Sequence, residues 1–322
     1  MKKYLQNKIA ESPFALPIVA VYAVLVWLLA GLLTRQLWLQ FAGFVFAVYM
    51  MVELTNRNAL LRVRSRMVSC SFLLLSCILS LSLGSITGVW AQVCLIGMFI
   101  LLCETYQQKE AQGMIYYAFL LLGLASLLTV SVLVLLPVLW VVMLTQLQSF
   151  NWRSWLASVF GTVTPYWLLL PWLVYRQGMP MLWSHFEDLF PASFFADYVL
   201  TVENAVYGVF MTVLLIFSAA HFWQHKMDDS IRIRQFYGMF IGVSAYSLAI
   251  AFLRPDFFDV LIRIVTVCVS PLLAHFAVHK ADKVSNILFF VIIVSTVLIT
   301  VYCFMAGGLD EATNRVGWSW NG

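Results

Sequence analysis

The feature that most restricts the fold of this chain is an apolar stretch, Met114–Leu147, that contains no charged residue. As one straight helix it would be about 50 Å long, whereas the hydrocarbon core of a bilayer is about 30 Å thick. A turn near Ser126–Ser131 divides it into two short membrane-spanning helices. The stretch therefore predicts a helical membrane protein. Its division also decides on which side of the membrane every later loop lies.

The whole chain repeats this apolar character. Hydrophobic residues make up 62% of it, charged residues only 11%, and the mean hydropathy is +0.90; a soluble protein has roughly a quarter charged residues. We expect a polytopic, all-α transmembrane bundle of about eleven spans, forming a single transmembrane domain over residues 1–322. The predicted spans are Phe14–Leu33, Leu37–Val52, Met67–Leu83, Ile86–Cys103, the two halves of Met114–Leu147, Trp155–Tyr175, Ala205–Phe222, Phe236–Leu253, Phe257–Val278 and Ile287–Met305.

The basic residues predict the orientation of these spans, because cytoplasmic loops carry an excess of Lys and Arg. With the N-terminus inside, 14 of the 19 basic residues are cytoplasmic. If Met114–Leu147 were one helix, 12 basic residues would be cytoplasmic and 7 would be outside. We therefore expect a cytoplasmic N-terminus and a C-terminus on the outside, or periplasmic, face. The predicted cytoplasmic set is Lys2, Lys3, Lys8, Arg57, Arg62, Arg64, Arg66, Lys109, Arg153, Lys226, Arg232, Arg234, Lys280 and Lys283, and the outer set is Arg35, Arg176, Arg254, Arg263 and Arg315.

Several classes of function are disfavoured by the sequence. It contains no P-loop, H-E-x-x-H, G-x-S-x-G or dinucleotide-binding motif, so soluble-type catalysis is not expected and an enzyme is the less favoured class. The six cysteines lie in apolar runs without a C-x-x-C pair, which predicts neither disulfides nor a cofactor. A net charge of +4 does not indicate nucleic-acid binding. The basic N-terminus precedes an apolar run without a small-residue cleavage site, which indicates an uncleaved first span.

The longest predicted outer loop, residues 177–204, mixes aromatic and acidic side chains such as Trp183, Glu187 and Asp188. This mixture is typical of a helix or re-entrant segment that lies in the outer interface, with its rings among the headgroups. We expect the loop to take this form.

A possible internal duplication relates two helix ends at an offset of 54 residues. The sequences 221–228 and 275–282 both read H-F-x-x-H-K-x-D. This predicts duplicated helical hairpins over residues 204–257 and 258–311, an arrangement common in transporters. Chance agreement between apolar sequences is the alternative.

Two pairs of histidines accompany this motif, His221 with His225 and His275 with His279. Residues at i and i+4 share one helix face, so the pairs offer four imidazoles to a metal. The favoured interpretation is that they are interfacial residues with polar tips toward the cytosol, and no metal is expected.

Ionisable residues within spans are the best candidates for a ligand site, because burying them in a membrane is costly. Arg263 lies inside the tenth span, one turn beyond Asp259. The two form either a structural ion pair or a site for an anionic ligand. Arg254 and Arg176 at the outer surface would add positive charge for a phosphate-bearing lipid or glycan intermediate, and Glu187 and Asp188 are weaker candidates on the same side.

Four short motifs lie within the segment 113–176, at Gly123–Leu127, Leu136–Trp140, Phe150–Trp155 and Gly161–Tyr166. Through them the segment resembles a bacterial family of multi-pass integral membrane proteins catalogued only as a domain of unknown function, with a weaker similarity at Pro271–Phe276 and Lys280. The resemblance implies an inner-membrane protein of unassigned activity and carries no catalytic residue. Where that family commonly has glutamate after the arginine of the aromatic hinge, this chain has Ser154.

Three functions are consistent with these observations. The favoured one is a non-enzymatic scaffold or accessory component of cell-envelope assembly in the bacterial inner membrane, with the bilayer and a membrane protein as partners. The second is handling of a lipid-linked glycan or phospholipid intermediate, by a polymerase, transferase or flippase that binds polyprenyl phosphate or phospholipid. The third is a secondary transporter. The short predicted loops favour the first, the outer arginines the second and the possible repeat the third.

Overall fold

The computed structural model describes residues 4–63, 65–78, 84–176, 179–187, 189, 201–279 and 282–317, and every regular element within these ranges is a helix. This confirms the predicted all-α class. The α-helices are α1 Leu5–Glu11, α2 Ala15–Leu29, α3 Trp38–Asn58, α4 Met67–Ile78, α5 Ile86–Glu104, α6 Gln112–Leu128, α7 Leu136–Thr145, α8 Trp152–Tyr175, α9 Met179–Glu187, α10 Val202–His225, α11 Ile231–Leu253, α12 Phe258–Val278 and α13 Lys283–Gly317.

Among the described residues, seven helices are long and apolar enough to cross a membrane, namely α3, α5, α8 and α10 to α13. Helices α1 and α2, bent by 86° across a short break, make an eighth if they count as one span. The structure thus supports several membrane-spanning helices but not the predicted eleven. Each of the eleven predicted segments contains a helix, but three are short: α4, α6, and Val130–Thr145, which holds α7. A 12-residue helix such as α4 spans only about 18 Å.

The chain reverses direction between α6 and α7, within the long apolar stretch. Thr129 is extended, with φ −149° and ψ 109°, and a 3₁₀ segment, Val130–Leu135, leads into α7. After α7 the chain is again beside the start of α6, because the amide of Gln107 donates to the carbonyl of Leu147 at 2.8 Å. The predicted turn near residues 126–131 is therefore present.

Helices α6 and α8 run parallel and pack closely through two glycines. A Cβ atom at Gly161 would lie 2.5 Å from the carbonyl oxygen of Tyr116, and one at Gly123 would lie 2.6 Å from that of Thr162. Backbone atoms cannot withdraw as a flexible side chain can, so both positions require glycine. Small residues that allow such close approach are typical of helix pairs in membranes.

Helix α12 is the centre of the bundle. In its apolar window 94% of the residues are buried, against 22% for α13. It packs against α11, α4, α10, α5 and α1. A helix that is apolar on nearly all sides is expected in the core, and its polar residues Arg263, Thr266 and Ser270 are enclosed by other helices.

Hydrogen bonds and ion pairs join the helix ends on one side of the bundle, which we call the basic end. Arg57 pairs with Glu104, Arg62 with Asp229, and the Asn151 amide donates to the carbonyl of Lys109 at 2.6 Å. Every described basic residue predicted to be cytoplasmic lies at this end. These residues are Lys8, Arg57, Arg62, Arg66, Lys109, Arg153, Lys226, Arg232, Arg234 and Lys283.

The opposite end of the bundle, which we call the outer-set end, carries the other described arginines. Gly88 at the start of α5 lies beside Arg263 near the start of α12, and Arg254 follows α11. Arg35 precedes α3 and Arg176 follows α8, both away from the basic end. The described side chains of the two predicted sets thus lie at opposite ends of the bundle.

Candidate functional site

A line of polar side chains runs along one face of α12. Asp259, Arg263, Thr266 and Ser270 follow one another at intervals of four, three and four residues, which places them on one side of a helix. Arg263 is only 3% exposed, and Thr266 and Ser270 are fully buried. We call these four residues the polar stripe.

The ion pair predicted from the sequence is present at the outer-set end of the polar stripe. Nε of Arg263 lies 3.3 Å from each carboxylate oxygen of Asp259. A Cβ at Gly88 of α5 would lie 2.9 Å from that Nε and 3.1 Å from the nearer oxygen of Asp259. The space occupied by the pair therefore depends on a glycine in the neighbouring helix.

Hydroxyl groups continue the stripe toward the middle of α12. Oη of Tyr207, from α10, lies 3.0 Å from Oγ1 of Thr266 and 3.1 Å from the carbonyl oxygen of Leu75 in α4. Oγ of Ser270 donates to the carbonyl of Thr266 at 2.5 Å. Tyr207 thus connects three helices around the centre of the bundle, a role that its place in an apolar run did not indicate.

Among the buried polar atoms that have no hydrogen-bond partner in the structure are Oγ of Ser76 in α4 and Nε2 of Gln92 in α5, two helices that pack against α12. Gln92 follows Gly88 by one turn, on the face that meets Arg263. More than nine in ten buried polar groups in proteins are hydrogen-bonded, and exceptions point to water or a ligand. The core around the stripe is therefore a place where water or a polar solute would complete the hydrogen bonding.

At the basic end, the four histidines of the two sequence motifs meet. The ring centres of His225 and His279 are 4.2 Å apart, those of His221 and His225 4.5 Å, and those of His221 and His279 5.4 Å. His275 completes this histidine cluster at 5.9 Å from His221 and 6.0 Å from His279. Helices α10 and α12 run parallel here, which brings the ends of both motifs together.

One member of the cluster has a charged partner that the sequence did not reveal. Nε2 of His275 lies 2.9 Å from Oδ2 of Asp229, and Oδ1 of the same carboxylate lies 3.2 Å from Nε of Arg62. Burial by itself raises the pKa of Asp229, but the hydrogen bond to His275 and the charge of Arg62 outweigh it, so the pKa is lowered. The sequence motif ends on Asp228 instead, and only the fold shows that its neighbour makes the contact.

The imidazoles are not arranged as a metal site. Within the described part of the chain, no group of three or more His, Cys, Asp or Glu side chains is placed to hold a metal ion. Nδ1 of His225 is 3.0 Å from the carbonyl of His221, and Nδ1 of His221 and of His275 are buried without a partner. Metal binding at these residues is thus not supported by their geometry.

The remaining candidates lie apart from these two sites. Arg254 is 8% exposed, sits over the ring of Phe257 and pairs with Asp256 at 3.9 Å. Arg176 is exposed and lies 5.8 Å from the ring centre of Trp172, at the end of α8. Glu187 is the exposed last residue of α9, and Asp188 lies outside the described residues.

Part of the predicted interfacial loop is helical, as α9. Its His185 lies 2.9 Å from the carbonyl oxygen of Ser126 at the end of α6, and the ring of its Phe186 packs against Tyr166 at 5.2 Å. The residues from 190 to 200 lie outside the described ranges. The location of the loop in the membrane interface stays a prediction.

The hairpin repeat also stays a prediction. Helix α10 packs against α11 and α12, whereas α13 packs mainly against α4.

With both sites described, the chain was compared with known proteins. No family model, curated protein or solved structure matches it.

Proposed function

We propose that this chain is a secondary transporter of the bacterial inner membrane, in which the polar stripe of α12 lines the path of a small polar solute. The observation that carries the proposal is the combination of position and chemistry. The most enclosed helix of the bundle holds a buried arginine, Arg263, and a row of hydroxyls. Ionisable residues inside membrane segments are rare, and many lie on substrate or ion pathways.

Two further features of the core favour a hydrated path for a solute along α12 over dry packing of the helices. Gln92, one turn beyond Gly88 on the face of α5 that meets Arg263, has a side-chain nitrogen without a partner, which favours a hydrated interior. Pro271 follows the stripe directly and has no N–H to donate to the carbonyl of Val267. Helix α12 continues through Pro271, so the carbonyl of Val267 is left without its usual backbone donor beside the stripe.

The alternative functions have weaker support. A scaffold with a membrane-protein partner needs no ionisable groups at the centre of its fold. A site for a phosphate-bearing lipid requires arginines with charge to spare, but Arg263 and Arg254 each face a carboxylate, Asp259 and Asp256. The resemblance of residues 113–176 to a family of unassigned activity is compatible with any of the three.

For the orientation, we propose that the basic end faces the cytoplasm, in accordance with the positive-inside rule. We also propose that the chain crosses or enters the membrane eleven times, with α4, α6 and α7 as short segments. The C-terminus then lies on the periplasmic side. The grouping of ten basic residues at one end of the bundle is the support for this orientation.

Reactivity of introduced cysteines tests the transport path without knowledge of the solute. In a chain whose six native cysteines are replaced, Thr266→Cys and Ser270→Cys are introduced singly and membranes are treated with a charged methanethiosulfonate reagent. We expect both thiols to react, because the reagent enters a hydrated path. Ser295→Cys on α13 is the matched control. Its native hydroxyl also donates to its own helix, at 2.9 Å, but it lines an apolar groove on the most exposed spanning helix.

The control cysteine should remain unreactive, since thiols that face lipid are not ionised. Unreactive cysteines at both 266 and 270, in a chain that inserts normally, would contradict a path along α12. Equal reactivity at all three positions would show general access of the reagent and would also contradict it.

A further inference from the structure

We propose that the histidine cluster is a proton-binding site, in which His275 takes the proton and Asp229 provides the counter-charge. Its role as the coupling-ion site of a transporter rests on the proposed function, but the binding of the proton does not. The proposal follows from the position of His275, its hydrogen bonds and the charges around it.

His275 is held in one orientation by the fold. Its ring packs 5.0 Å from Tyr237 and 5.7 Å from Phe222, and its Nε2 points at Asp229. A neutral histidine that donates through Nε2 has a lone pair on Nδ1. That Nδ1 is buried and has no partner, in a side chain only 9% exposed.

A proton added to Nδ1 turns this arrangement into a buried imidazolium–carboxylate pair. The Nε2–H of the charged ring then donates to an oxygen of Asp229 at 2.9 Å, as a charge-assisted hydrogen bond. The second carboxylate oxygen contacts Arg62, which keeps Asp229 ionised when the ring is neutral. Asp229 therefore has a cationic partner in both protonation states of the ring: Arg62 alone when the ring is neutral, and Arg62 together with the imidazolium when it is charged.

The groups around His275 limit the cluster to a small number of protons. His221 and His225 face it from α10, His279 from its own helix, and Tyr237 from α11. Burial and the neighbouring histidines lower the pKa of His279, against the opposing effect of Asp228 and Asp229. Gln6 of α1 bonds the carbonyls of Phe276 and Ala277, and Asn286 of α13 bonds the Gln6 amide. The same two helices carry the charged residues Lys8, Glu11 and Lys283 at the basic end. Lys226 lies over the ring of Trp223 and Arg62 is held by Asp229, so the nearby cations further disfavour a second proton.

The site is also within reach of water. A cavity of about 150 Å³ at the basic end is lined by Arg62, Asp229, His275 and His279, together with apolar side chains from the segment after α3 and from α12. Protons can therefore reach His275 from this end of the bundle. His275 and the polar stripe both lie on α12. A force on α12 that results from protonation of His275 therefore acts on the helix that carries the stripe.

Selective ¹⁵N labelling of histidine gives a direct test, since the chain contains only five. The full-length protein is placed in nanodiscs with EDTA and its imidazole signals are followed by NMR from pH 8 to pH 5. We expect the signal of His275, assigned by its loss in His275→Gln, to change from the neutral to the protonated form. In Asp229→Asn this change should move to lower pH by about one unit, a tenfold loss of proton affinity.

Asp228→Asn is the matched control, because it removes the adjacent carboxylate, which is exposed and does not touch His275. It should shift the change by much less, and thermal unfolding at pH 8 verifies that each variant is folded. A His275 signal that stays neutral to pH 5 would overturn the proposal. So would equal shifts in the two aspartate variants, or a pH response that is present only without EDTA, which would indicate a metal.

The two proposals fail separately. If His275 titrates as expected while the cysteines on the polar stripe are unreactive, the proton site stands and transport along α12 is contradicted. If the cysteines react and His275 does not titrate, transport along α12 is supported and the proton site is contradicted.

Discussion

Single residues decide where helices of this protein touch, and the two glycines between α6 and α8 are the clearest case. At Gly161 and Gly123 the obstacle to a larger side chain is backbone. At Gly88 it is the Arg263–Asp259 pair. Gly242 in α11, in contrast, has no atom within 4 Å of where a Cβ would be. The consequences of adding one methyl group should differ accordingly.

We expect Gly161→Ala to destabilise the protein by about 1–3 kcal/mol, the range for overpacking of a closely packed site. Gly242→Ala is the control and should be neutral or slightly stabilising, because alanine is the better helix former. Thermal unfolding in one detergent compares the two. A melting temperature for Gly161→Ala equal to that of Gly242→Ala would contradict the close contact of α6 and α8.

Protonation of His279 gives a second prediction at this scale. Its pKa is lowered in the folded protein, so the unfolded state binds more protons as the pH falls through the ordinary histidine value of about 6.5. The neutral ring contributes stability above that pH, and the contribution is lost on acidification. Replacing His279 with Gln should therefore reduce the loss of stability between pH 7.5 and pH 5.5. Melting temperatures at the two pH values measure this, with His185→Gln, outside the cluster, as the control; a loss as large as that of the unaltered chain would refute it.

The sequence revealed some of these residues and not others, for a physical reason. Arg263, Asp259 and the four histidines were identifiable because charge or polarity stands out in an apolar helix, and helical spacing pairs neighbours four residues apart. Asp229 and Arg62 were not identifiable as partners of His275, since their contact depends on how three separate segments meet at the basic end. Contacts between residues far apart in the chain depend on how the helices pack, and a local sequence pattern does not predict them.

At the scale of the helix, the positions of the elements followed from hydropathy but their lengths did not. The turn at Thr129 was predictable because a single helix would exceed the bilayer thickness. The 3₁₀ segment Val130–Leu135 was not, because its residues are as apolar as those of the helices beside it. Helix α1 was also missed, since seven residues with two polar amides and a lysine resemble a flanking loop.

Pro271 lies inside α12, where its effect on helix hydrogen bonding can be tested by substitution. Proline inside a helix removes a backbone hydrogen bond at a cost of about 3 kcal/mol, part of which membrane helices recover through other contacts. Pro271→Ala should therefore raise the melting temperature while it lowers the thiol reactivity of Ser270→Cys. Pro171→Ala, in the exposed part of α8, should leave that reactivity unchanged. Faster reaction of the Ser270→Cys thiol in the Pro271→Ala background would contradict a role for this proline in opening the path.

For the whole molecule, the reversal at Thr129 sets the topology of everything that follows. Single cysteines at Lys109 and Arg153 should be labelled from the same face of the membrane, and one at Thr129 from the other. Labelling of intact cells with a membrane-impermeant maleimide, before and after permeabilisation, measures this. If the cysteines at 109 and 153 were labelled from opposite faces, Met114–Leu147 would cross the membrane once and the division of charges would be the less favourable one.

The contact of Gln6 with the end of α12 has a consequence for how the protein is made. The fully buried side-chain amide of Gln6 donates to the carbonyls of Phe276 and Ala277, and its main-chain amide bonds Asn286. The ribosome delivers residue 6 long before residues 276 and 286 exist. Helix α1 therefore lacks its contacts with α12 and α13 until both of these helices have been synthesised and inserted. The segment around Gln6 is therefore synthesised before α12 and α13 but makes its contacts with them only after both have been inserted.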